Sequence, residues 1–230
     1  TKFKYEIGIE YLNEIVWFPK GIYVLGNIDS SNSSTGREVT FQLKDKFLKE
    51  YKINKPLIIT AGLPFERKGI KDFVKIVEKC PDYQFLWFGS SSIKSMLPKK
   101  IQKIIDSPPK NLIFPGYVDK DILIGAFGAA KTFLFMTYEE NEGIVVLEAL
   151  SSKLPLVVRD IPVYDNWLSD GKNCFKAKDN EEFYKKMVSI VNEKVTNIDE
   201  IIQNAYDIAL ERDLVKIGEK YKKYYEDILK

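Results

Sequence analysis

The chain has 230 residues, 45% of them hydrophobic and 13% aromatic, enough to bury one sizeable core with some appended elements. Its 35 Lys and Arg residues nearly balance 33 Asp and Glu, and the net charge of +2 indicates no nucleic-acid partner. The absence of histidine excludes Ser-His-Asp, Cys-His and His-metal chemistry within this sequence. Cys80 and Cys174 stand far apart, so they predict neither a disulfide nor a metal site and fit a reducing cytosol.

The beginning of the sequence indicates a piece of a longer cytoplasmic protein. It starts with Thr1 instead of Met, and the run TKFKYEIGIEYLNEIVWF lacks the charged start, apolar core and cleavage site of a signal peptide. No apolar stretch approaches the ~20 residues that span a bilayer. We therefore expect a protein that is soluble or peripheral on a membrane.

Strand and helix patterns alternate from residue 56 onward and predict an α/β protein with a Rossmann-like, doubly wound parallel sheet. Short β-rich runs predict strands, and apolar residues at helical spacing predict helices. The predicted strands are residues 56–62, 83–89, 111–114, 131–136, 154–159 and 173–176. The predicted helices are residues 69–80, 98–106, 119–130, 142–152 and 162–168, with more helices from about residue 180 to the end.

The segments that flank this alternation divide the chain into three parts. Residues 26–38 are polar, Ser-rich and aperiodic, so we interpret residues 1–50 as the tail of a preceding domain plus a linker. Residues 51–194 form the predicted α/β domain. Residues 195–230 are charged and Tyr-rich and predict appended helices.

The loop GLPFERKG (residues 62–69) is a candidate binding loop because open parallel sheets bind ligands outside the carboxyl ends of their strands. It places Arg67 and Lys68 directly before a helix, where cations and free amides can bind an anion. The same pattern also fits a Gly-ended strand and a Gly-started helix with solvated basic residues.

The loop TYEENEGIVVLEAL (residues 137–150) is acidic where a strand ends and a helix begins. Capping of the helix start accounts for one or two of these carboxylates. Glu148 falls on the second turn of an almost continuously apolar helix, so we expect a partly buried carboxylate without an evident partner. Ribose hydroxyls would supply donors, while the free amides of Glu142, Gly143 and Ile144 would face a pyrophosphate.

Glu140 and Glu148 enclose seven residues, and ENEGIVVLEALSSKLPLVV resembles the signature of retaining GT-B glycosyltransferases of group 1. The loop 62–69 is similar to the phosphate loop of that family, FPGYV (114–118) to its uracil-binding segment, and NID (27–29) to its linker with the Gly missing. RKG and VVRDIPVYDNWL (157–168) look most like bacterial glucosyl- and galactosyl-diacylglycerol synthases.

The resemblance implies a role for each site residue. Lys68 would bind the donor diphosphate and Glu140 the transferred sugar, as the catalytic residues, and Glu148 would bind the ribose. The implied donor site comprises Gly62, Arg67, Lys68, Gly89, Tyr117, Val118, Glu140, Glu142, Gly143, Ile144 and Glu148. Leu63 stands where the family usually has Arg, so either Arg67 substitutes for it or the phosphate contact is weaker; Glu142 stands where many members have Phe.

The resemblance further implies that residues 51–194 bind a UDP-sugar, UDP-glucose in particular, and that residues 195–230 pack back toward a missing N-terminal domain. That domain would hold the acceptor site and a further catalytic group, so this chain alone is expected to be inactive. The acceptor would be the hydroxyl of a membrane glycolipid or diacylglycerol at the inner face of a bacterial plasma membrane. The UDP-sugar is a co-substrate, and neither a cofactor nor a metal is expected.

Several alternatives remain open from sequence. The family fold also suits a non-catalytic nucleotide-binding module or a capsular or cell-wall polysaccharide glycosyltransferase. A nicotinamide-dependent dehydrogenase is disfavoured because no strand is followed by G-x-G-x-x-G. Asp119-Lys120-Asp121 has the DxD metal-binding pattern, but it also fits a helix start. The lysines between Lys94 and Lys110 fit either a membrane-facing patch or a solvated helix face.

Overall fold

The computed structural model describes residues 35–89, 94–141 and 143–229. Its centre is one sheet of six parallel strands in the order β3-β2-β1-β4-β5-β6. The strands are β1 (Leu57–Ala61), β2 (Gln84–Phe88), β3 (Leu112–Gly116), β4 (Thr132–Phe135), β5 (Leu156–Arg159) and β6 (Phe175–Ala177). The predicted parallel, Rossmann-like sheet is confirmed, and its order reverses between β1 and β4, where such sheets bind ligands.

Helices cover the sheet. They are α1 (Thr35–Glu50), α2 (Ile70–Lys79), α3 (Lys99–Asp106), α4 (Lys120–Ala129), α5 (Ile144–Ser151), α6 (Asn180–Val191), α7 (Ile198–Glu211) and α8 (Leu214–Ile228). Short 3-10 turns occupy Glu66–Lys68, Lys94–Met96 and Pro162–Tyr164. Only Pro162–Tyr164 of the segment predicted as a helix over residues 162–168 form a 3-10 turn, and residues 165–167 continue as a non-helical turn.

Alternate side chains along the strands enter two separate cores, as the two-residue period of a strand requires. Leu57, Ile59 and Phe133 pack on one side of the sheet with α4 and α5. Ile58 and Leu134 pack on the other side with α2 and α6. Because both faces of the sheet are covered, its strands are largely apolar, which is why the sequence showed nearly continuous apolar runs.

Helix α1 packs with the sheet domain, although the sequence analysis assigned residues 1–50 to a tail and linker. Phe47 of α1 is completely buried in the core beside α4. The two helices touch so closely that a Cβ on Gly125 would lie 2.5 Å from the carbonyl oxygen of Leu43. Residues 35–50 are thus part of this packed unit, while the linker motif at residues 27–29 lies outside the described residues.

Helix α7 packs against α5 of the sheet domain. Its residues Ala205 and Ala209 are buried in the same core as α5. Their predicted packing toward a preceding domain stays a prediction. In the described ranges, none of the helices has the length and apolar character needed to cross a bilayer.

Candidate functional site

A cavity of about 320 Å³ opens at the carboxyl ends of β1 and β4, at the point where the strand order reverses. Its walls come from the ends of these two strands, the loop after each, and the start of α5. The lining residues are Ala61, Gly62, Lys68, Phe135, Glu140, Asn141, Gly143, Ile144 and Val145. Five of the predicted donor-site residues, from two distant loops, therefore meet at one cavity.

Glycines let the loops approach one another at this edge. A Cβ on Gly89 would lie 2.2 Å from the carbonyl oxygen of Gly62, so the loop after β2 fits against the loop after β1 only without a side chain. The Trp87 indole N–H donates to the same oxygen at 2.9 Å. Gly89 does not line the cavity. It instead contacts the backbone of Gly62, which does line it.

The loop after β1 is also fastened to the loop after β4. Gly69 has φ +78°, and a Cβ there would lie 2.3 Å from the carbonyl oxygen of Met136. The backbone N–H of Tyr138 donates to the carbonyl oxygen of Arg67 at 2.8 Å. These contacts hold the turn Glu66–Lys68 over the end of β4, which brings Lys68 to the cavity.

Lys68 and Glu140 form an ion pair in the cavity wall. The Lys68 ammonium contacts the Glu140 carboxylate, and the two side chains are only 12% and 13% exposed. The ammonium lies 5.4 Å from the Phe135 ring centroid, and the Asn141 backbone N–H donates to the other carboxylate oxygen at 3.1 Å. A partly desolvated cation at a cavity is a site for an anion, which would compete with Glu140 for Lys68.

Helix α5 points its N-terminus into the same cavity. Gly143 precedes the helix with φ +78° and no side-chain cap, and Ile144 and Val145 line the cavity. The first amides of a helix have no partner within it, so they attract an anion together with the helix dipole. Glu142, predicted to share this role, lies outside the described residues.

Glu148 lies one turn further along α5, on the same helix face as Ile144. It is half-buried, and within the described residues its carboxylate makes no hydrogen bond. Burial raises the pKa of Glu148 above its usual value, and the positive charge of Lys120 opposes that shift. The predicted burial of the Glu148 carboxylate is therefore confirmed, and the residue lies one helical turn from Ile144 at the cavity wall.

We expect Glu148→Gln to make the protein more stable at neutral pH. An acid with a raised pKa in the folded state binds more protons there than in the unfolded chain, so the associated stability is present below the unfolded pKa and is lost as pH rises through the folded pKa. Removing the charge should raise the thermal midpoint by roughly 2–4 °C if it recovers ~1 kcal/mol. Thermal melts of both proteins from pH 4 to 8 measure this; equal midpoints throughout would contradict it.

Arg67, Tyr117 and Val118 are not lining residues of the cavity. The Arg67 guanidinium donates to the carbonyl oxygen of Glu139 at 3.2 Å, so it braces the acidic loop. Tyr117 is 87% exposed after β3, and Val118 packs against the core. Their roles in base and phosphate binding stay predictions.

A polar cluster that was not predicted from the sequence anchors the loop after β4. The Tyr138 hydroxyl donates to the buried carboxylate of Asp72 on α2, which also accepts from Asn180 at 2.8 Å and from Lys75 at 3.0 Å. Burial alone would raise the pKa of Asp72, but the hydrogen bonds from Asn180, Tyr138 and Lys75 outweigh it and lower that pKa. The Arg159 guanidinium stacks 3.8 Å from the Tyr138 ring. One feature of the sequence indicates this cluster: Asp72 lies on the apolar face of α2, where a carboxylate needs hydrogen-bond donors.

The DxD pattern lies at a helix start. Asp119 directly precedes α4 and Asp121 lies in its first turn, as the alternative interpretation expected. Within the ranges that the structure describes, no three His, Cys, Asp or Glu side chains cluster as metal ligands.

Comparison with known proteins decides the family. Residues 43–208 match the family described as Glycosyl transferases group 1. The chain belongs to this family. The resemblance inferred from the two glutamates and the loop 62–69 is confirmed, and the cavity beside Lys68 and Glu140 is the candidate active site of a group 1 glycosyltransferase.

The curated relatives point to one subgroup. The chain is 44% identical over 188 residues to a processive diacylglycerol alpha-glucosyltransferase of Acholeplasma laidlawii, covering 81% of this chain and 55% of the relative. It is 35% identical over 113 residues to an alpha-galactosylglucosyldiacylglycerol synthase of Streptococcus pneumoniae, covering 48% of this chain and 30% of that protein. The chain thus spans about half the length, or less, of these relatives.

Solved structures share the fold. A glycosyltransferase from Rickettsia africae superposes with a TM-score of 0.74 at 18% identity, over 92% of this chain and 56% of that one. The Anabaena protein HepE, solved in complex with UDP and glucose, gives a TM-score of 0.69 at 17% identity, over 90% of this chain and 55% of that one.

Proposed function

We propose that this chain is the donor-binding half of a retaining glycosyltransferase that moves a hexose from a UDP-sugar, UDP-glucose in particular, to a diacylglycerol or glycolipid hydroxyl. The observation that carries the proposal is the Lys68–Glu140 pair at the start of α5, with the half-buried Glu148 one turn along. A cation, free amides and a carboxylate in need of donors suit a diphosphate, and then a ribose, in that order along the helix.

Leaving-group stabilisation would supply most of the chemistry from this half. When the bond between the anomeric carbon and the diphosphate oxygen breaks, negative charge grows on UDP. Lys68 and the free amides at Ile144 and Val145 would offset that charge in a partly desolvated cavity, where such interactions are strong. Glu140, released from Lys68 by the diphosphate, would bind the hydroxyls of the sugar and orient its ring.

The acceptor is proposed from the relatives. The 44% identical relative is a diacylglycerol glucosyltransferase, and the 35% identical one is a galactosylglucosyldiacylglycerol synthase. Because this chain spans about half of the first of these, the acceptor site is proposed to lie in a preceding domain. An acceptor of this kind requires the enzyme to work at a membrane surface, as a peripheral protein.

Radiolabelled UDP-glucose, incubated with the full-length protein and vesicles that contain diacylglycerol, should give label in the organic phase of a lipid extract. Glu140→Gln keeps the side-chain shape but removes its charge, so it should lower turnover without weakening UDP binding. UDP-galactose in place of UDP-glucose identifies the donor sugar.

Two results would contradict this proposal. Label that appears solely in water-soluble polymer would indicate a capsule or wall enzyme. An absence of transfer from any UDP-hexose by a protein that still binds UDP would indicate a non-catalytic nucleotide-binding module.

A further inference from the structure

Tyr164 is a buried hydroxyl that the proposed chemistry does not use. It ends the 3-10 turn after β5, is completely buried, and packs edge-on against Trp167 with ring centroids 5.7 Å apart. Its hydroxyl has no hydrogen-bond partner within the described residues. Leaving such a group unsatisfied is unfavourable, and most buried hydroxyls have a partner, so this one calls for an explanation.

The Tyr164 hydroxyl lies beside the acidic loop of the candidate site. A Cβ on Gly143 would lie 3.4 Å from the hydroxyl oxygen and 3.4 Å from Cγ of Glu140, so both side chains flank the same glycine. Burial and the charge of Glu140 raise the pKa of the Tyr164 hydroxyl far above its ordinary value. The group therefore keeps its proton and remains a donor that faces a carboxylate-bearing loop.

In the free site the Glu140 carboxylate is occupied by Lys68 and by the Asn141 N–H. A donor diphosphate competes for Lys68, because it carries more negative charge than one carboxylate. Glu140 then loses its cation in a site where it is only 13% exposed, and it needs another donor. The nearby Tyr164 hydroxyl can donate without breaking another hydrogen bond, because it has no partner within the described residues.

We propose that Tyr164 is a positioning residue for Glu140: when the donor takes Lys68, the Tyr164 hydroxyl donates to the Glu140 carboxylate and fixes its direction toward the sugar. This rests on the proposed function. Gly143 is the residue that permits it, since a side chain there would contact both groups.

Tyr164→Phe in the full-length protein tests the proposal, because it removes the hydroxyl and keeps the ring packing on Trp167. We expect kcat for sugar transfer to fall about tenfold, and KM for the UDP-sugar and Kd for UDP to rise by a smaller factor, because the released Glu140 then lacks one donor. The thermal midpoint should stay equal or rise, since a buried donor without a partner is removed. Tyr221→Phe, which deletes a buried hydroxyl on α8, is the matched control and should leave kcat unchanged.

The double variant separates positioning from a structural role. If Tyr164 acts through Glu140, adding Tyr164→Phe to Glu140→Gln should cost little further turnover. A wild-type kcat in Tyr164→Phe, or a full additional loss in the Glu140→Gln background, would overturn the inference. A wild-type protein that transfers no sugar would contradict the proposed function itself, which the same assay reveals first.

Discussion

Replacing Lys68 with Met is expected to lower turnover of the full-length enzyme about 10²–10³-fold, the usual loss when one preorganised donor to a developing negative charge is removed. Met has a similar length and no charge, so the substitution removes the ammonium and keeps most of the packing on Phe135. The effect should be larger on kcat than on UDP-sugar KM, because charge on the diphosphate grows as the glycosidic bond breaks.

Lys71→Met is the matched control for this prediction. Lys71 lies in the first turn of α2, and its exposed side chain pairs with Glu66 on the surface, so its loss should leave turnover near wild type. Thermal melts correct both rates for the folded fraction, since Lys68→Met also leaves Glu140 without its cation. If Lys68→Met and Lys71→Met have equal turnover per folded molecule, Lys68 does not stabilise the leaving group as proposed.

Replacing Gly69 with Ala is expected to destabilise the fold by roughly 2–5 kcal/mol. A left-handed backbone disfavours Ala by about 1–2 kcal/mol, and overpacking adds about 1–3 kcal/mol. Here the added Cβ would lie 2.3 Å from the Met136 carbonyl oxygen, so the loops after β1 and β4 must separate. That separation would also move Lys68 away from Glu140.

Gly171→Ala isolates the contribution of the clash. Gly171 has a similar φ of +70° to the +78° of Gly69, but a Cβ there meets no atom within 4 Å. The decrease in the free energy of unfolding of Gly171→Ala should therefore be limited to the backbone strain of about 1–2 kcal/mol. Urea unfolding of both variants gives the difference; equal losses would show that the loops accommodate the methyl group.

The sheet was predictable because its strands are buried on both faces and read as continuous apolar runs between helices. The site loops were predictable because ligands of such sheets bind at the carboxyl ends of the strands. The pairing of Lys68 with Glu140 joins residues 72 positions apart, which local patterns do not reveal. The family resemblance implied a donor-binding role for both residues, and that expectation placed them in one predicted site.

Two features of the structure were not predictable from local pattern. Helix α1 has little amphipathic character and follows a Ser-rich run, so its packing against α4 through Phe47 is a tertiary effect. The cluster of Asp72, Tyr138 and Arg159 joins three segments that are distant in sequence, so the local pattern around each residue does not reveal its contacts with the others. Neither feature lines the cavity.

Calorimetric titration of UDP, ADP and GDP into this chain and into its Glu148→Gln variant measures whether the cavity at the start of α5 binds a uridine nucleotide. We expect UDP to bind in preference to either purine nucleotide. Glu148→Gln should weaken UDP about tenfold, because a carboxylate accepts the ribose hydroxyls more strongly than a neutral amide does. Absence of UDP binding, a preference for a purine nucleotide, or unchanged UDP affinity in Glu148→Gln would contradict the assignment of this cavity as a UDP-sugar site.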